Sequence, residues 1–121
     1  MFGLGKRKKF NGEVDALLES EYQIRTKNNP HFPAVLAYLE LLDLAWQSKM
    51  SLDEAALYIA TLYYCGIAKA GHIAEAEPLL SRINELSRMG LSLGTISDQR
   101  AQKFMAAIED TNNKIGLAGS S

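Results

Sequence analysis

The sequence predicts an all-α protein: about five antiparallel helices in a single bundle or a short helical-hairpin solenoid. Three observations carry that expectation. Apolar residues recur at three- and four-residue spacing along most of the chain. Strand-like alternation closed by a hairpin turn signal occurs nowhere. Short turns marked by Pro or Gly separate the periodic segments, and short connections fold neighbouring helices back on one another. The 121 residues leave room for one core, and the 47% hydrophobic and 22% charged content exclude general disorder. The expected organisation is a basic flexible arm over 1–10, one helical domain over 11–115 and a flexible tail over 116–121.

Asn11 is expected to cap the first helix, which carries Glu13 and Asp15 in its first turn, where acids suit the dipole. Val14, Leu17, Leu18 and Ile24 continue it to about Asn28. Asn28, Asn29 and Pro30 form a turn, and Pro33 stands where the first turn of a second helix tolerates a missing amide. That helix runs to about Ser48 with only a narrow polar stripe of Glu40, Asp43 and Gln47, which marks it as central. Ser51 and Glu54 make a capping box ahead of a third helix. Its apolar run from Ala55 to Ala68 is too short to cross about 30 Å of hydrocarbon and must be buried by protein.

Gly71 is expected to end the third helix, and a fourth follows through Ala76, Leu79, Leu80, Ile83 and Leu86 to Gly90. Pro78 inside it requires a late start near Glu77 or a kink. Thr95 and Asp98 form a second capping pair, and Ala101, Phe104, Ile108 and Ile115 mark a fifth helix.

Lys69, Ala70, Gly71, Glu75, Ala76, Leu79, Leu80, Ile83 and Gly90 resemble the turn and second helix of a tetratricopeptide or pentatricopeptide repeat. The resemblance covers one hairpin, about residues 51–90, and no second copy follows at a spacing of about 34 residues. It implies that the small residues Gly71 and Ala76 let two helices approach closely. In those families, stacked hairpins form grooves for peptides or RNA; no ligand residue is carried over.

The net charge of −1 conceals a split. Lys6, Arg7, Lys8 and Lys9 give the arm +4, while the rest of the chain holds nine basic residues against fourteen acidic ones, a charge of −5. The acidic body repels nucleic acid. The arm, with Phe2, Leu4 and Phe10 beside it, suits weak contact with an anionic membrane or RNA. Phe2 stands where myristoylation demands glycine, and no apolar leader follows the basic group, so a cytoplasmic location is expected.

Catalytic, cofactor and metal sites are not expected. Cys65 lies in the apolar run and reads as core. His72 and Glu75 lie one helical turn apart near Glu77, and Glu40 and Asp43 make a similar pair, but nothing in the sequence joins the two pairs into a metal site. His31 beside Pro30 reads as a helix-entrance residue instead of a general base, and Gly3 and Gly5 precede a basic arm, not a phosphate-binding helix. Trp46, Tyr58, Tyr63 and Tyr64 carry more weight, because amphipathic aromatics favour interfaces. They form either a partner interface or rings covered by the other helices. The expected function is a non-enzymatic protein–protein interaction module, an adaptor, regulator or inhibitor, with another protein or a second copy (a homodimer) as partner and no small-molecule substrate. The alternative is peripheral attachment to a membrane or RNA through Lys6, Arg7, Lys8 and Lys9.

Overall fold

A computed structural model describes residues 2–34 and 36–116. Five helices follow in order: α1 (Phe2–Glu21), α2 (Tyr38–Gln47), α3 (Leu52–Lys69), α4 (Ile73–Leu93) and α5 (Asp98–Ile115), with a short 3₁₀ turn at Phe32–Ala34. No strand occurs among the described residues, so the all-α expectation holds. The expected tail beyond Gly116 lies outside the described residues.

The central helix is α3, not α2. All four other helices pack on α3, and twelve of its eighteen residues are buried. That burial explains an apolar run that leaves almost no polar face. The Ser51–Glu54 capping box forms as expected, with the Ser51 hydroxyl accepting from the Glu54 amide and the Glu54 carboxylate accepting from the Ser51 amide. By contrast α2 is ten residues long and buries Leu41, Leu42 and Ala45. Leu39 and Leu44 of α2 stay exposed, because a short helix packed on α1 and α3 has no neighbour for its outer side.

The first helix begins at Phe2, so the stretch expected to be a flexible arm forms the first half of α1. Asn11 therefore lies inside the helix, and its side-chain oxygen is buried without a partner. The helix stops at Glu21, well before Asn28, because Gln23 turns left-handed (φ +56°) and sends Ile24 into the core. Arg82 of α4 closes this end, donating to the Glu21 carbonyl at 2.6 Å and to its carboxylate at 2.8 Å. It supplies a cation at a helix C-terminus that has none of its own.

Pro33 belongs to the 3₁₀ turn, and α2 starts later, at Tyr38. The fourth helix begins at Ile73, ahead of Pro78, and continues across it without a late start. The carbonyl of Ala74 forgoes its usual donor there, at small cost because Ala74 and Pro78 both face solvent. Gly90 does not close α4. It lies buried inside the helix, where a Cβ would stand 2.2 Å from Ile96 Cδ1, and Gly94 at φ +78° ends the helix instead. Ser97, not Thr95, caps α5, since the Thr95 amide is engaged with the Gly90 carbonyl in closing α4.

Candidate docking groove at the α2–α3 turn

The turn between α2 and α3 is built by backbone hydrogen bonds. Met50 N–H donates to the Ala45 carbonyl at 3.2 Å and Lys49 N–H to the Trp46 carbonyl at 3.1 Å, a Schellman closure that places Lys49 in the left-handed region (φ +58°). The α3–α4 turn repeats the pattern, with His72 N–H on Ile67 and Gly71 N–H on Ala68, but there the left-handed residue is glycine.

Two surface depressions adjoin this turn and share Met50. The first, about 520 Å³, is lined by Phe10, Trp46, Gln47, Lys49 and Met50. Phe10 and Trp46 meet edge to face at 5.2 Å between ring centroids. The second, about 340 Å³, has Tyr58, Leu62 and Phe104 on its apolar side and Ser48, Arg100 and Lys103 on its polar side. Thr61, only 1% exposed, also lines it, and its hydroxyl has no hydrogen-bond partner. Met50 lines both, so the two adjoin at this residue and are treated together as one groove.

A buried carboxylate, Glu54, is linked to this turn through Arg100. Glu54 accepts from the Ser51 and Ser97 amides, both at 2.9 Å, and from Arg100 at 3.0 Å, while Arg100 also donates to the Ser48 carbonyl at 2.6 Å. Burial alone would raise the Glu54 pKa, but the two amides and the guanidinium outweigh it and hold the carboxyl below its ordinary value. The cluster ties the start of α3 to the start of α5 and holds Arg100, which lines the second depression.

Of the expected interface aromatics, Trp46 and Tyr58 flank the groove, one in each depression, both partly buried. Tyr63 and Tyr64 are corrections. They are 7% and 0% exposed and serve mainly as core rings covered by this chain's own helices and loop, with only an edge of Tyr63 reaching the cleft between α1 and α4. The Tyr63 hydroxyl meets Asn29 at 3.1 Å and that of Tyr64 meets Asn112. Burial pushes the phenols of Tyr58, Tyr63 and Tyr64 up.

Successive helical residues are about 100° apart, so Lys6, Lys8 and Lys9, all exposed, fall within about 160° of the helix circumference and share the outer side of α1, while Arg7 points the other way and pairs with Asp43 of α2.

The two histidines meet, which sequence spacing could not show. Their ring centroids are 4.8 Å apart, and His31 Nε2 lies 3.4 Å from the Glu75 carboxylate. Glu40 and Asp43 do not join them; Asp43 binds Arg7 and Gln47. No group of three or more His, Cys, Asp or Glu among the described residues is placed to hold a metal ion. Cys65 is buried, its thiol 3.7 Å from the Ala107 carbonyl.

Sequence reading missed Phe10, Lys49, Met50, Thr61, Leu62, Lys103 and Phe104 as groove residues. One signal was available for Met50, which directly precedes the Ser51 cap, where an apolar residue packs back on its helix. Comparison with protein-family models, with curated proteins and with solved structures returns no match. No helix among the described residues is long and apolar enough to cross a membrane.

Proposed function

We propose that this protein is a helical interaction module, a cytoplasmic adaptor or regulator, that docks a segment of another protein in the groove at the α2–α3 turn. The observation that carries this reading is the pair of adjoining depressions joined at Met50, with partly exposed aromatics on each side. Concave apolar floors with a polar rim are what a docked segment fills. The exposed Leu39 and Leu44 on the neighbouring helix extend the apolar surface beyond the groove. Attachment through the basic residues of α1 is the weaker reading, since Arg7 is engaged with Asp43 and the three exposed lysines alone give only weak attraction to an anionic surface.

Selection of displayed random peptides on the purified protein tests the proposal. Enriched peptides should lose about tenfold or more in affinity on Trp46→Ala, the scale of an aromatic anchor at an interface. They should bind normally to Leu93→Ser, which alters a side chain 72% exposed at the end of α4. Far-UV circular dichroism would confirm that Trp46→Ala keeps its helices. Peptides that bind Trp46→Ala undiminished, or no enrichment at all, would refute docking in this groove.

A further inference from the structure

The groove departs from the rest of the molecule in charge. The cleft between α1 and the start of α4 contains Glu21 and Glu75 with Arg82, that between α1 and the end of α4 contains Glu21 and Asp53, and that between α4 and α5 contains Asp98 and Glu109. The two depressions at the α2–α3 turn hold Lys49, Arg100 and Lys103, and no carboxylate lines either. In a chain with more acids than bases, this is where cations concentrate in a concave surface. Arg100 is committed to Glu54 and Ser48, whereas neither Lys49 nor Lys103 is paired with a carboxylate among the described residues.

We infer that the occupant of the groove is an acidic amphipathic segment of a partner protein, its apolar side chains seated on either side of Met50 and its carboxylates meeting Lys49 and Lys103. The inference rests on the docking reading above. One further observation agrees with it. Lys49 occupies a left-handed position that glycine holds at the ends of α3, α4 and α5, where a Cβ is strained, so its side chain comes at a cost in stability. Concavity favours a peptide over a bilayer, which is met by protruding side chains, and two unpaired cations are too few to hold an RNA backbone against a body of charge −5.

The same peptide selection separates this inference from the docking reading. Enriched sequences should place Asp and Glu among Leu, Phe or Trp at helical spacing. One such peptide, synthesised with a fluorescein label and titrated by anisotropy, should lose about fivefold in affinity on each of Lys49→Gly and Lys103→Gln, and should weaken with added salt. On the wild-type protein the unlabelled peptide should also blue-shift the fluorescence of Trp46, the single tryptophan of the chain. Because Lys49→Gly relieves backbone strain, its thermal midpoint should not fall, so loss of binding cannot come from unfolding. Neutral or basic enriched sequences, or acidic ones indifferent to Lys49→Gly and Lys103→Gln, would overturn the acidic occupant; if Trp46→Ala still abolished their binding, the docking reading would survive. Phosphatidylserine vesicles or single-stranded RNA binding in place of the acidic peptide, with loss on the same two substitutions, would overturn it as well. Enriched peptides insensitive to Trp46→Ala would defeat both.

Discussion

The α3–α5 part of the molecule and the α1–α2 layer that covers it are built to different standards. Helices α3, α4 and α5 each end on a left-handed glycine (Gly71, Gly94, Gly116), and α3 and α5 start from serine caps. Helices α1 and α2 end on Gln23 and Lys49 in the same backbone region, and α2 starts at Ala37 with no side-chain cap. In α1 the charge runs against the helix dipole, with Lys6 to Lys9 near the positive end and Glu19 and Glu21 near the negative one. From Gly5 onward its first buried residue is Val14, and the Arg7–Asp43 pair and the Phe10–Trp46 contact tie the stretch before it to α2. Local rules are thus kept at most helix ends of the α3–α5 part and relaxed in the covering layer, including at Lys49 beside the groove.

The comparison breaks most severely if Glu54 does not matter. Glu54→Ala strands two amides and a partly buried guanidinium, and should cost about 2–3 kcal/mol, roughly 10 °C in Tm by thermal denaturation. The same carboxylate sets an acid limit. Its folded pKa lies below the ordinary 4.5, so its stabilising contribution is fully present above that value and is lost as pH falls through the folded pKa. Urea midpoints measured from pH 6 downward should fall in acid, and Glu54→Gln should flatten that dependence.

Gly90→Ala should destabilise by about 1–2 kcal/mol although alanine is the better helix former, because the new methyl collides with a stiff, buried Ile96 side chain. A double-mutant cycle with Ile96→Ala should show the two costs to be strongly non-additive. Lys49→Gly should raise stability by about 0.5–1 kcal/mol, and the reciprocal Gly71→Lys, where a Cβ meets open space, should lower it by about as much. Equal and opposite shifts in urea midpoint would show that both turns carry the same backbone demand. The smallest effect belongs to Arg7→Ala: an exposed pair is worth about 0.5 kcal/mol or less, so Tm should scarcely move while amide exchange quickens over the first two turns of α1.

How far the sequence reached depended on whether the relevant physics was local. The Ser51–Glu54 box was legible because both of its hydrogen bonds close within four residues. Gly90 was misread as a helix end because glycine serves both turns and close contacts, and only Ile96 packing on its Cα tells them apart. Tyr63 and Tyr64 were expected at an interface with Trp46 and Tyr58, since a period of 3.6 residues shows that a helix is apolar all round without showing what surrounds it. Lys49 gave no signal, because its left-handed backbone follows from how α2 must turn into α3.

Composition, periodicity and cap chemistry by themselves determined an all-helical chain with one core, the approximate helix order and the start of α3, because each rests on residues within a turn or two of one another. Tertiary structure alone decided which helix is central, that Phe10, Trp46 and Met50 meet Tyr58, Phe104 and Lys103 around one turn, and that carboxylates are kept out of that groove. Those outcomes depend on how five helices share a small volume, and packing joins residues far apart in the chain that no local pattern connects.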